Sequence, residues 1–130
     1  MNFMMADTSQ AKNPNTVLIV EDDPSAARSL CFLMQHYGFR VQWAGTVKTA
    51  IALLDIQPDI ILLDLLLPDG YGIAVMEAIK ARNLTARVAV VSAVIDHAML
   101  CRARVLGPEM MLSKPLNFLS LLEQLRVTAA

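Results

Sequence analysis

The chain has 130 residues, of which 55% are hydrophobic, and a formal net charge of -1 at pH 7. This length suits one domain with its own core, and the near-neutral charge argues against a nucleic-acid surface, which needs concentrated Lys and Arg. No apolar run reaches the ~18 residues of a membrane span, so we expect neither nucleic acid nor membrane as a partner.

The sequence also predicts a cytoplasmic location. The two cysteines, Cys31 and Cys101, lie in predicted helices without CxxC spacing, and we expect both to be buried free thiols. Free thiols suit a reducing compartment. The first residues, MNFMM, include neither a basic leader nor a long apolar segment, so they do not resemble a secretory signal.

The chain divides into a short tail and one domain. Residues 1–15 are polar after Met5 and end in the turn-forming sequence NPN, which predicts a flexible tail. Residues 16–130 contain no internal repeat and no low-complexity segment, and they predict a single domain.

The domain is predicted to open with a strand and a helix. The apolar run at residues 17–20 predicts a buried strand, which leads directly into the sequence EDDP at residues 21–24. Pro24 suits the first turn of a helix, with Asp23 as its N-cap. Apolar residues on one face extend this helix, and Gly38 is placed to end it.

The next elements lead to the central strand. Residues 39–43 alternate in polarity and predict a more exposed strand, and Gly45-Thr46 opens a helix that the sequence QPD at residues 57–59 ends. The apolar run at residues 60–63 ends at Asp64, which predicts a strand buried on both faces with a carboxylate at its end. Taken alone, Asp64 is equally explained as a turn residue.

The alternation continues in the second half. The sequence PDGYG at residues 68–72 predicts a loop, in which Asp69 is a turn residue, and a helix follows it. Residues 87–91 predict a fourth strand, which ends at Ser92.

A final helix, strand and helix complete the predicted domain. Residues 96–106 predict a weakly patterned helix, and residues 109–113 predict a short fifth strand that ends before Lys114. Asn117 is the expected N-cap of the last helix. The residues of this helix predicted to face inward are Phe118, Leu121, Leu122 and Leu125.

Strict alternation of strands and helices predicts a doubly wound α/β fold with a five-stranded parallel sheet and five helices. Because the carboxyl ends of parallel strands share one edge, the polar residues that follow them are expected to converge there. These residues are Glu21, Asp22, Asp64, Ser92 and Lys114. Carboxylates suit Mg²⁺, and a lysine and a hydroxyl beside them suit a phosphoryl group.

Four motifs stand at these strand ends: LIVEDDP at residues 18–24, LLDLLLPDGYG at 62–72, VSA at 91–93 and SKP at 113–115. In this order and at these intervals, they resemble the receiver domain of two-component response regulators. The resemblance covers about residues 16–127. It implies a flavodoxin-like fold, for which we expect the strand order 2-1-3-4-5.

The resemblance also implies roles for residues at a metal site. Asp64 would be the phosphoacceptor, a carboxylate nucleophile that takes a phosphoryl group from the phosphohistidine of a histidine kinase or a phosphotransfer protein. Asp22 would bind Mg²⁺ directly, together with Asp64, and Glu21 would act through a water molecule. The backbone carbonyl of Leu66 would be a further metal ligand.

Three other residues are implied to bind the phosphoryl group. Lys114 would pair with Asp64 before transfer and with the phosphoryl oxygens afterwards. Ser92 would donate its hydroxyl, and the N–H of Ala93 would add a second bond. In the family the bond between the Lys and the Pro that follows it is often cis, which here would aim Lys114 inward.

The chain departs from the family pattern in two places. Met111 stands where the family usually has Tyr or Phe, and Met lacks a ring with two well-defined positions, so we expect a weaker conformational switch. Leu66 and Val94 place apolar side chains beside the path of the hydrolytic water, which predicts a long-lived phosphorylated form.

The resemblance predicts a signalling protein whose chemistry is limited to its own phosphorylation and dephosphorylation, and not an enzyme with turnover. The chain ends without an output segment, so we expect a stand-alone regulator or a receiver cut from a longer protein. The apolar sequence MML at residues 110–112 leaves a homodimer surface, a docking site for an output domain, and plain core as open alternatives.

Two other functions compete with this interpretation. A phosphatase with an Asp nucleophile usually needs a second acid soon after it, and Leu66 occupies that position. A binding module that has kept the fold but lost phosphorylation would not need Asp64, Ser92 and Lys114, all of which are present.

Overall fold

The computed structural model describes residues 15–94 and 96–126, so the predicted tail, apart from Asn15, lies outside the described residues. The main strands are β1 (Thr16–Val20), β2 (Arg40–Ala44), β3 (Ile60–Leu63), β4 (Arg87–Ser92) and β5 (Met110–Ser113). The helices are α1 (Pro24–His36), α2 (Val47–Leu53), α3 (Gly72–Ala81), α4 (His97–Val105) and α5 (Phe118–Leu125). A 3-10 turn, Leu54–Ile56, follows α2.

The main strands form one parallel sheet in the order β2-β1-β3-β4-β5. This confirms both the predicted doubly wound fold and the predicted strand order. Val20 pairs with Leu63 across β1 and β3, and Ser92 pairs with Ser113 across β4 and β5. Because the strands end in register, the residues that follow them meet at one rim of the sheet.

The central strand β3 is buried on both faces, as its uninterrupted apolar run predicts. Ile61 and Leu63 pack into a cluster with residues of α2, α3 and α4. Ile60 and Leu62 point to the opposite face and pack with residues of α1 and α5. Because successive side chains of a strand point to opposite faces of the sheet, this one apolar run contributes to both cores.

Side-chain caps begin α1 and α5 at the positions that the sequence predicts. Asp23 accepts a hydrogen bond from the Ala26 N–H at 3.2 Å and caps α1. Asn117 accepts one from the Ser120 N–H at 3.1 Å and caps α5. Each cap satisfies a backbone N–H that the first helical turn leaves without a partner.

Two burial predictions are wrong. Phe118 is 38% exposed, because it is the first residue of α5 and lies beside Ala26 and Leu30 of α1 in a surface groove. Cys101 is exposed, because α4 packs lightly and Ala103 is its buried residue. Cys31 is half-buried, less than predicted, and this burial raises the pKa of its thiol.

Among residues 15–94 and 96–126, no helix combines the length and the apolar character needed to cross a membrane.

Gly72 allows the loop after β3 to pass close to the rim. In this loop Leu66–Leu67 pairs with Gly70–Tyr71 in a short antiparallel ladder, and the Gly72 N–H donates to the Leu65 carbonyl at 2.9 Å. A Cβ atom at Gly72 would clash with the backbone carbonyl oxygen of Asp64. Two backbone segments therefore meet where only glycine fits.

We predict that Gly72→Ala destabilises the protein by about 1–3 kcal/mol, since the clash involves backbone that cannot turn away. Helix propensity alone would favour Ala at this position. Urea unfolding of the variant measures the difference in the free energy of unfolding. Gly45→Ala is the control, because a Cβ atom there has 3.8 Å to its nearest neighbour. Equal stability of the two variants would contradict the prediction.

Candidate functional site

The rim at the carboxyl ends of the strands brings the predicted polar residues together. Glu21 and Asp22 follow β1, Asp64 follows β3, Ser92 ends β4 and Lys114 follows β5. Glu21, Ser92 and Asp64 are only 3%, 4% and 6% exposed and are the buried polar residues of the described chain. Buried polar groups at the rim of an apolar sheet require partners.

Lys114 joins the two buried carboxylates of the described chain. Its Nζ donates to Asp64 Oδ2 at 2.8 Å and to Glu21 Oε1 at 2.7 Å. The contact with Asp64 is the pairing that the sequence led us to expect. The contact with Glu21 was not predicted, because Glu21 was assigned only to a water-mediated role. The ammonium group is thus shared by two carboxylates that would otherwise repel each other.

The charge of Lys114 is stabilised at this position. Burial alone lowers the pKa of Lys114, but the hydrogen bonds and Coulomb attraction of Asp64 and Glu21 outweigh it and leave the pKa raised. Lys114 therefore stabilises the fold at pH values below the ordinary pKa of lysine. This contribution is lost as the pH rises through the higher folded-state pKa.

Asp64 is held at its other oxygen by two donors. Its Oδ1 accepts hydrogen bonds from the Leu66 N–H at 3.1 Å and from the Ser92 hydroxyl at 3.2 Å. The Ser92 Oγ in turn accepts from the Val94 N–H at 3.2 Å. These bonds orient the carboxylate and place one hydroxyl directly beside it.

Three carboxylates at the rim match the donor set of a hard divalent cation. One oxygen from each of Glu21, Asp22 and Asp64 lies within 4.8 Å of the others. Asp22 is exposed, whereas the other two are buried. Carboxylate oxygens, with positions left open to water, are the ligands that Mg²⁺ prefers. The side chains present therefore fit the predicted magnesium ion.

The remaining predicted site residues surround this cluster. Ala93 directly follows Ser92 and is exposed. Leu66 is 46% exposed, and Val94 is half-buried. The Lys114-Pro115 peptide bond is cis, as expected. The roles assigned to these residues remain predictions.

Trp43 contacts the site, and the sequence analysis missed it. Its indole Nε1–H donates to the Glu21 backbone carbonyl at 2.7 Å. The Glu21 side chain is held as well, since its Oε2 accepts the Asp23 N–H at 3.1 Å. The available signal was the position of Trp43 near the carboxyl end of β2, the strand that pairs with β1.

Asp69, which the sequence predicts only as a turn residue, also contacts a neighbouring helix. Its carboxylate accepts hydrogen bonds from the Val47 N–H at 2.7 Å and the Lys48 N–H at 3.1 Å, at the start of α2. These bonds, with Val47 first, lower the pKa of Asp69. Asp69 thus ties the loop after β3 to the N-terminus of a neighbouring helix.

Comparison with known proteins identifies the family. The family model described as "Response regulator receiver domain" matches residues 17–126. Acid tolerance regulatory protein ActR of Rhizobium meliloti is 34% identical over 115 residues, which cover 88% of this chain and 59% of ActR. A cyclic di-GMP phosphodiesterase of Thermotoga maritima is 36% identical over 115 residues, which cover 88% of this chain and 30% of that protein.

Comparison with solved structures supports the same family. The non-phosphorylated HemR receiver domain from Leptospira biflexa superposes with a TM-score of 0.79 at 28% identity and covers 87% of this chain and 92% of that one. The chain thus spans only part of the two curated relatives but nearly all of this solved domain. On the family match and these likenesses together, the chain belongs to the response regulator receiver domain family of two-component systems.

Proposed function

We propose that this chain accepts a phosphoryl group on Asp64 from the phosphohistidine of a histidine kinase or phosphotransfer protein. The observation that carries the proposal is the contact of buried Asp64 with Lys114, at 2.8 Å, beside Glu21 and Asp22. A carboxylate that is buried, oriented and faced by a fixed cation is suited to react with a phosphorylated donor.

The transfer is a single displacement at phosphorus. A carboxylate oxygen of Asp64 forms the new P–O bond while the P–N bond of the donor breaks, and the departing imidazole nitrogen retains the bonding electrons. The product is an acyl phosphate on Asp64. Positioning and neutralisation of charge, more than covalent help, are what such a transfer requires from the protein.

The acidic residues of the rim are the proposed binding site for the Mg²⁺ cofactor. Asp22, Asp64 and the Leu66 carbonyl would hold Mg²⁺, with Glu21 acting through a water molecule. The bound ion would supply positive charge to the phosphoryl oxygens. The side-chain oxygens of Glu21, Asp22 and Asp64 lie close enough together to support this assignment.

The other rim residues would bind the product. Lys114 is already anchored to Glu21, so it can turn from Asp64 to a phosphoryl oxygen without losing all of its partners. The Ser92 hydroxyl, which faces Asp64 Oδ1, and the Ala93 N–H would donate to other phosphoryl oxygens. Glu21 therefore has a second proposed role, as the resting partner of Lys114.

We place the receiver domain at residues 16–130 and the protein in the cytoplasm, where a kinase or phosphotransfer protein would be its donor. Because the chain matches only part of its curated relatives, an output domain on a longer protein or on a partner is part of this proposal. The domain would catalyse its own modification and would not turn over a separate substrate.

We predict that acetyl phosphate with Mg²⁺ adds one phosphoryl group to the protein and that Asp64→Asn abolishes the addition. Lys114→Met should slow the addition by roughly 10²-fold, because it removes a preorganised cation from the reacting oxygens. Intact-protein mass spectrometry over time measures both effects. Asp55→Asn is the control, since Asp55 lies on the surface in an exposed pair with Arg82. Equal labelling of wild type and Asp64→Asn would refute the assignment.

We also predict that the acyl phosphate is long-lived and that Leu66→Asn and Val94→Glu shorten its lifetime. Polar side chains at these positions can orient water towards phosphorus, whereas Leu and Val cannot. The decay of the phosphorylated protein after removal of the donor measures the rate. Leu119→Asn, at a 72% exposed position on α5, is the matched control. A decay rate that neither rim substitution changes would count against the prediction.

Met111 generates a prediction about the conformational switch. Its half-buried side chain packs against the core cluster that includes residues of α2, α3 and α4. Because Met adapts to its surroundings without two distinct ring positions, we expect phosphorylation to change α4 and β5 only weakly. Amide hydrogen exchange with and without a phosphate mimic measures this change, and Met111→Tyr should enlarge it. A large change confined to α4 and β5 in the wild type would contradict the expectation.

A further inference from the structure

The exposed face of α4 carries a histidine and a cysteine in contact. His97 Nε2 lies 3.6 Å from Cys101 Sγ, and the two residues are one helical turn apart at positions i and i+4. Both side chains are exposed, and the buried residue of this helix is Ala103. The pair therefore takes no part in the packing of α4, and none of the roles proposed for the rim uses it.

The separation of these atoms matches two corners of a tetrahedral metal site. Zn²⁺ binds imidazole nitrogen at ~2.0–2.1 Å and thiolate sulfur at ~2.3 Å, which at the tetrahedral angle places N and S ~3.6 Å apart. The observed distance is 3.6 Å. A metal ion can therefore bridge the two atoms without a change in their separation.

The surroundings leave room for the other ligands. Cys101 lines an open groove of about 330 Å³ between α3 and α4, together with Ile73, Glu77 and Val105. Arg102 lines the same groove and approaches Glu77 to 4.0 Å. Because both side chains of the pair are exposed, water can reach them.

We propose that His97 and Cys101 form a two-ligand site for a borderline-soft divalent metal ion, Zn²⁺ being the ion that fits best. On binding, the Cys101 thiol loses its proton to solvent and forms the metal–sulfur bond, and neutral His97 supplies a nitrogen lone pair. Water completes the coordination. Thiolate and imidazole select this class of ion, whereas the carboxylates of the rim select Mg²⁺.

The chain provides its own matched control. It has two histidines and two cysteines in all. The other pair, Cys31 and His36, lies on α1 outside the i, i+4 spacing, and Cys31 is half-buried. A site that required only the presence of these residue types would use both pairs, but the geometry favours His97 and Cys101.

The test is a titration of the whole chain with Co²⁺, in saturating Mg²⁺ and a phosphine reductant, followed by competition with Zn²⁺. We expect a thiolate-to-cobalt absorption band in the wild type that Zn²⁺ abolishes and that is absent from Cys101→Ser. His97→Ala should weaken Co²⁺ binding by ~10-fold or more, since even loss of an outer-shell partner costs that much. Cys31→Ser/His36→Ala should bind like the wild type.

Absence of the band in the wild type, or its persistence in Cys101→Ser, would overturn the proposal. So would loss of the band in Cys31→Ser/His36→Ala. Far-ultraviolet circular dichroism of each variant checks that the helices persist, as expected for the exposed positions His36, His97 and Cys101. His97→Gln offers a second substitution of the nitrogen ligand, and wild-type affinity in this variant would also overturn the site.

Discussion

Two carboxylates with almost no exposure to solvent face one ammonium group at the centre of the rim. Asp64 and Glu21 would repel each other if both were ionised in this setting, and Lys114 prevents this by donating to both. Removing one member of such a cluster leaves an uncompensated buried charge. These three groups lie in contact because of the sheet order, the positions at which β1, β3 and β5 end, and the inward direction of Lys114.

Under the proposed function, this arrangement would let the site respond to a change in charge at Asp64. Lys114 has a partner on either side, and modification of Asp64 would shift its contacts towards Glu21 or away from it. The fixed points are the backbone around Glu21, held by Trp43, and the loop after β3, held to α2 by Asp69. A cation held between two anchored carboxylates could then exchange one partner for another without unfolding the sheet.

Much of the fold could be predicted because local patterns determine it. Neighbouring residues along the chain are enough to indicate the apolar runs of β1 and β3, the caps Asp23 and Asn117, and the alternation of strands and helices. The convergence of Asp22, Asp64 and Lys114 followed from the parallel topology. Contacts between distant residues were harder to foresee. Nothing near Asp69 indicates that it reaches Val47. The position of Trp43 on β2 places it near the rim, but the local sequence does not indicate that its indole turns to Glu21. The exposure of Phe118 and Cys101 depended on how lightly α4 and the start of α5 pack, which a hydrophobic pattern does not record.

The hydrogen bond from Trp43 to Glu21 has a practical consequence. The chain contains one tryptophan, so its fluorescence comes from a single indole, and that indole is bonded to the residue that shares Lys114 with Asp64. A shift in the electric field at this carbonyl acts on the emitting group across one bond of 2.7 Å. The protein therefore carries an optical reporter that is hydrogen-bonded to a residue of the rim, and we expect its emission to report ligand binding at the rim without an attached dye.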